Sequence, residues 1–369
     1  MVRRSKQICP CAYNLLTGQD IWHSGVYGKH SHGRRLSLCQ EPPLGGRPPV
    51  KPSCDVFCAG NAVADVLARP VDSFGTPGAS QRLHQAALGP GGNGVNTAIA
   101  LARLGVSVRL AAPVGRDRLG ELLRQTVHAE GVEDSNLVTL DRAQTSVSIV
   151  LVESSGERRF LHFRGANTDF SLQHVNWDLV EGAHVFHYAS AFSLPAFDGP
   201  PLEHAMERAE QMGCITSMNV CWDVQDRWLP LIQPALAHTG FIFPNLAEGW
   251  QLTGESEPPA IAQCLRKWGV KTVVLKLGPA GCYVAGPEGP FTSPGFPVNA
   301  IDTTGAGDCF AAGFLAAICR GEETKQAARF ANAAGALCTL GMGGADSAPT
   351  RQQVEEFLSR HANEVDGMG

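Results

Sequence analysis

From Cys54 onward, short apolar runs alternate with longer stretches in which apolar residues recur every three or four positions. The run Cys54-Asp55-Val56-Phe57-Cys58-Ala59-Gly60 reads as a buried first strand closed by glycine. The 3.6-residue period predicts helices at 95–104, 118–130, 201–212 and 258–268, and short apolar runs predict strands at 107–112, 184–189, 214–219, 240–243 and 271–276. Alternation of this kind predicts an α/β fold with a mostly parallel sheet covered by helices on both faces. Around 79–88, and at 145–153 and 157–164, strand-like alternation continues with no helix between, and Glu153-Ser154-Ser155-Gly156 supplies a hairpin turn. These stretches predict a small antiparallel flap beside the main sheet. From Gly305 to about Arg360 the pattern is helix-rich, with Pro349 and Thr350 opening a final amphipathic helix, and no internal repeat is present.

Residues 1–52 differ from the rest, with basic residues outnumbering the acids Asp20 and Glu41 and no sustained apolar period. They are expected to be a disordered extension ahead of one folded domain over 53–362. The whole chain has 369 residues, 44% hydrophobic and 18% charged, with 41 glycines, the composition of an ordinary globular α/β protein. A formal charge of −5 gives no basic footprint for nucleic acid. No stretch approaches the ~20 apolar residues of a membrane span, and no apolar core follows Arg3, Arg4 and Lys6, so the chain is expected in the cytoplasm. Most of the twelve cysteines stand singly in apolar runs and read as reduced core residues. Cys9, Cys11, His23, His30 and His32 fit no standard zinc spacing.

The most informative string is Asp302-Thr303-Thr304-Gly305-Ala306-Gly307-Asp308, followed by a helical pattern through Phe314. Small residues at 305–307 let backbone amides approach a ligand, and a helix N-terminus favours an anion there. Asp308 in the first turn would then stand beside a transferring phosphoryl group and accept a proton from a hydroxyl. Taken alone, such a turn reads first as a helix cap whose Asp satisfies the helix dipole. A second glycine-rich string, Gly91-Gly92-Asn93-Gly94-Val95-Asn96, also precedes a helical pattern.

Together and in this order, the two strings resemble the two signatures of the ribokinase-like (PfkB) carbohydrate kinase family, and the resemblance runs from about Val56 to Arg360. It implies a three-layer α/β/α fold with a β lid drawn from about 65–90 and 145–165. It also implies phosphoryl transfer from ATP with Mg²⁺ to a hydroxyl of a sugar of the ribose, fructose or keto-deoxy sugar acid type. In this resemblance Asp308 is the base and Gly305, Ala306 and Gly307 form the anion hole. Asp65, Gly92, Asn93, Asn96 and Glu157 bind the sugar, with Asn93 standing where ribokinases usually carry Lys. Asn245 and Glu248 form an Asn-x-x-Glu motif for the phosphates and a hydrated Mg²⁺, although three-residue spacing also suits a helix cap. Lys276, Gly278, Gly281 and Asn332 match the nucleotide site. Asp302, Thr304, Gly343 and Ser347 match a site for a monovalent cation, K⁺. The resemblance also implies lid strands paired in a homodimer.

Two alternatives stay open: a nucleoside kinase of the same superfamily, with Phe160 or Phe163 against a base, and an inactive sugar-binding regulatory protein. A dinucleotide oxidoreductase is excluded, because Gly60 lacks the glycine partners that fold needs.

Overall fold

The computed structural model describes residues 54–155 and 157–366. The extension 1–52, with its Cys and His residues, and Gly156 of the flap turn lie outside them. In chain order the first half comprises β1 (Cys54–Ala59), β2 (Val63–Arg69), β3 (Gln85–Gly91), α1 (Asn93–Arg103), β4 (Val108–Gly115), α2 (Arg118–Ala129), β5 (Glu133–Leu140), β6 (Val147–Val152) and β7 (Arg158–Phe163). Then come α3 (Trp177–Val180), β8 (Ala183–Ala191), α4 (Pro200–Gln211), β9 (Ile215–Val220), α5 (Trp228–Leu236), β10 (Phe241–Phe243), α6 (Leu246–Thr253) and α7 (Pro258–Lys267). The chain continues with β11 (Thr272–Lys276), β12 (Cys282–Gly286), β13 (Gly289–Ser293), α8 (Ala306–Cys319), α9 (Thr324–Cys338) and α10 (Arg351–Asp366).

Nine strands form the main sheet in the order β13-β12-β11-β10-β9-β8-β1-β4-β5. The strands from β11 to β5 run parallel, and β12 and β13 add an antiparallel edge. Neighbouring residues of β1 enter opposite cores, as strand alternation requires. Val56 and Cys58 face Leu101, Phe314 and Phe330 of α1, α8 and α9. Phe57 and Ala59 face Met206, Ile232 and Leu265 of α4, α5 and α7. Each such fully buried large side chain contributes roughly 1.5–3 kcal/mol of transfer free energy.

The lid is a four-stranded sheet, β3-β2-β6-β7, built of two antiparallel pairs joined by a parallel β2–β6 contact. Register divides it into two faces. On one, Leu67 lies opposite Ala87 and Val150, and Val150 opposite Phe160. On the other, Leu88, Val66, Ile149 and Leu161 form a row across all four strands, and Leu88, Ile149 and Leu161 are exposed.

The predicted helices and main-sheet strands appear within a few residues of their expected bounds. The strand expected at 79–88 begins only at Gln85, because pairing with β2 starts at Arg69 opposite Gln85. Among the described residues, β2, the edge strand β5 with its polar start Glu133-Asp134-Ser135-Asn136, the β12–β13 hairpin, the short α3 and α5 escaped the periodic reading.

Candidate active site

The parallel strands end side by side, and the polar residues at their carboxyl ends converge. Asn219 is the last residue but one of β9, Asn245 follows β10, and Lys276 ends β11. From the other side comes the start of α1, which lies close against the end of β1. A Cβ on Gly94 would stand 2.7 Å from the Gly60 carbonyl carbon, so only glycine permits that approach. The α8 N-terminus meets both. Its N-cap Gly305 has φ of 73°, and a Cβ there would lie 2.4 Å from Gly344 Cα.

Asp308, in the first turn of α8, is 4% exposed and sits at this meeting point. Its Oδ1 accepts hydrogen bonds from Asn93 Nδ2 at 2.9 Å and Asn219 Nδ2 at 3.0 Å, and its Oδ2 accepts one from Asn96 Nδ2 at 3.0 Å. Lys276 Nζ donates to Asn219 Oδ1 at 2.9 Å, and Cys221 Sγ donates to Asn93 Oδ1 at 3.3 Å. Burial pushes the Asp308 carboxyl up, while the Asn93 and Asn96 amides, Lys276 and Asn219 pull it back. An Asp that stays above the ordinary carboxylate range while accepting three amide donors is suited to taking a proton.

Asn245 and Glu248 close a reciprocal cap on α6: the Glu248 amide donates to Asn245 Oδ1 at 2.8 Å, and the Asn245 amide to Glu248 Oε2 at 2.7 Å. The cap uses one oxygen of each side chain. Glu248 is buried, and burial raises its carboxyl; Lys276 lowers it and Asp308 raises it further. Lys276 thus serves two carboxylates, and its Nζ is 3.2 Å from where a Cβ on Gly307 would stand.

Two cavities flank the α8 turn. A larger one of about 490 Å³ is lined by Lys276, Gly278, Gly281, Ala306, Gly307 and Asn332, among others, which brings together most of the expected nucleotide site. There Asn332 Nδ2 donates to Ser293 O and Oγ and to Pro294 O, each at 3.1 Å, fixing the end of β13. A smaller cavity of about 360 Å³ lies under the inward face of the lid, lined by Asp65, Leu67, Arg69, Val150, Arg158, Asp302, Thr304, Gly343 and Asp346. Asp65 is pushed up to about 7 by burial and by Asp346. Thr303, Ala306 and Gly307 face the larger cavity and Asp302 and Thr304 the smaller, so a single turn of chain separates them.

Not every expected residue lines these spaces: Asp308, Gly305, Asn93, Asn96, Asn245 and Glu248 line neither cavity. Gly92 is the N-cap of α1, with φ of 88°. Glu157 is exposed beside the flap turn, and it is its neighbour Arg158 that faces inward. Ser347 lines neither cavity; its amide donates to Gly343 O at 3.2 Å. Asn219 was missed by sequence reasoning, because Thr216 and Ser217 already make β9 partly polar and nothing local sets Asn219 apart.

Comparison with known proteins identifies the family and the fold. The family model described as "pfkB family carbohydrate kinase" matches residues 54–351. A fructokinase-2 of Oryza sativa is 30% identical over 289 residues, covering 74% of this chain and 86% of the relative. An ATP-dependent ribose-1-phosphate kinase of Halopiger xanaduensis is 32% identical over 305 residues, covering 82% and 98%. The crystal structure of a ribokinase from Thermotoga maritima superposes with a TM-score of 0.71 at 25% identity, covering 83% of this chain and 99% of that one. Among the described residues no helix is long and apolar enough to cross a membrane. With a matching family model over most of its length, two cavities divided by one glycine-rich turn, and a buried carboxylate at that turn, the chain belongs to the pfkB family of carbohydrate kinases and is a sugar kinase that uses ATP.

Proposed function

We propose that the chain moves the γ-phosphate of ATP from the larger cavity onto a hydroxyl of a sugar held in the smaller one, with Asp308 as the base. The observation that carries this is the place of Asp308: buried, held by three amides, and directly after the turn 302–307 whose residues line the two cavities. Phosphoryl transfer needs alignment and charge stabilisation more than covalent chemistry. The amides of Gly305, Ala306 and Gly307 at the α8 N-terminus would meet the charge on the transferring group. Lys276 adds a positive charge from the side of the nucleotide. Asp65, Asn93 and Asn96 would hold the acceptor, with one hydroxyl turned to Asp308. Glu248, buried and with one oxygen left over from its cap, suits a Mg²⁺ that keeps its waters, and such an ion supplies charge neutralisation to bridged phosphates.

The lid covers the smaller cavity, which favours the sugar over water as acceptor. Its outer row Leu88, Ile149 and Leu161 leaves apolar surface on an edge-bearing sheet, and a second copy of the lid would cover it, giving a homodimer.

The test is ADP release with Mg-ATP against ribose, fructose, 2-keto-3-deoxygluconate, sugar 1-phosphates and nucleosides, with Asp308→Asn alongside. Sugar 1-phosphates belong in the panel because Arg69 lines the acceptor cavity and contacts Met342 Sδ at 3.6 Å rather than a carboxylate. Turnover of one compound that vanishes in the variant supports the reading. Binding without turnover across the panel would favour a regulatory sugar-binding protein.

A further inference from the structure

Asp302 opens the turn that carries the three anion-hole amides, and both oxygens of its carboxylate are engaged. It is 5% exposed. Its Oδ1 accepts the Thr304 amide at 2.7 Å and its Oδ2 the Gly343 amide at 3.0 Å. The remaining contact comes from the lid: Arg158 Nη1 lies 2.6 Å from Asp302 Oδ1 and donates to Thr304 Oγ1 at 2.5 Å. Burial works against the charge on Asp302, yet the amides of Gly343 and Thr304 and the Arg158 guanidinium outweigh it and hold the carboxyl below its ordinary value.

Asp302, Thr304 and Gly343 are three of the four residues whose resemblance implies a K⁺ site. In this structure two of them, Asp302 and Thr304, already hold a cation, and it is an arginine. A K⁺ placed there would share one buried carboxylate with a guanidinium, and two like charges in a poorly solvated site repel. These residues, with the lid down, do not fit a free monovalent ion.

We infer that Arg158 takes the place of the monovalent cation, as a positive charge tethered to lid strand β7 that neutralises Asp302 and braces Thr304. Thr304 directly precedes Gly305, so the bracing passes along the chain to the anion-hole amides. Arg158 is therefore a positioning residue for phosphoryl transfer. The inference rests on the kinase reading for its purpose, but the charge replacement itself can be tested apart from turnover.

The experiment compares the full wild-type chain with Arg158→Gln and Arg158→Lys in potassium chloride and in choline chloride of equal ionic strength, so that general screening is constant. Two quantities are read: the thermal midpoint without nucleotide, and the affinity for Mg-ADP. The wild-type chain and Arg158→Lys are expected to bind Mg-ADP within about twofold in the two salts. Arg158→Gln, which keeps a polar end without charge, should lose about tenfold in choline and recover in potassium, as the loss of one charge-assisted contact predicts. Its thermal midpoint should likewise rise only with potassium. A wild-type chain whose midpoint or affinity depends on potassium overturns the inference, and this arm decides even if the Gln variant does not fold. So does an Arg158→Gln variant indifferent to both salts. A wild-type chain that binds no nucleotide in either salt would count against the kinase reading, while the nucleotide-free midpoints still judge Arg158.

Discussion

Asp65→Asn offers a test in which the sign of the effect changes meaning with pH. The Asp65 carboxyl is pushed to about 7 by burial and then by Asp346, with no hydrogen bond from the described residues offsetting the burial. An unfolded Asp titrates near 3.9, so below about pH 4 the group is protonated in both states and contributes nothing. Between about 4 and 7 the folded chain keeps a proton that the unfolded chain has released, and stability falls as pH rises. Above about 7 both states are ionised and the full penalty stands. At 1.36 kcal/mol per unit the upper limit is roughly 4 kcal/mol, and since Asp65 keeps part of its surface in water, about 2 kcal/mol is the sounder figure. Asn removes the charge and keeps the shape. The variant should therefore melt with wild type near about pH 4 and roughly 4 °C above it near about pH 8, while losing affinity for the sugar. Differential scanning calorimetry across this range reads the difference. A midpoint gap that does not grow with pH, or a variant less stable than wild type at the alkaline end, would refute the account of Asp65 as a carboxylate that is held at a cost to stability in order to bind substrate.

Further outcomes follow from the same geometry. Asp308→Asn should lower kcat by ~10²–10⁴-fold, and single-turnover kinetics retaining the wild-type rate would remove it as the base. Lys276→Met removes a charge that lowers Asp308, so the acid limb of the kcat/KM profile should move to higher pH; an unmoved limb would mean that the limb reports another group. Gly305→Ala forces a side chain into a left-handed φ and against Gly344, and urea titration should show a loss above about 2 kcal/mol. Ile149→Asp on the outer lid row should give monomers by light scattering where the wild-type chain gives dimers; a wild-type monomer would sink the lid pairing.

Much of this architecture is legible in the sequence. The apolar runs of β1, β4, β8 and β11 are buried on both faces, so their composition alone marks them, and the helices over them carry a clear period. The lid was harder to read because its inner face serves a cavity. Asp65 and Arg69 of β2 point into that space, which breaks the apolar alternation a core-facing strand would show. The glycine-rich turns and Asp308 were readable as a string. Asn219 and Arg158 owe their roles to partners 89 and 146 residues away, Asp308 and Thr304, and such separations leave no local trace.

The three asparagine amides around Asp308 also bear on which alcohols are accepted. An arriving hydroxyl that donates to Oδ1, which already accepts Asn93 and Asn219, must displace one of those donors, so binding there is an exchange of partners before it is a gain. A displaced Asn93 or Asn219 amide then needs a new acceptor, and the neighbouring oxygens of a polyol can provide one. A deoxy analogue cannot, and would strand a buried N–H at about 1–3 kcal/mol. The same cradle that keeps the empty carboxylate in place would therefore discriminate among sugars by the hydroxyls next to the reacting one.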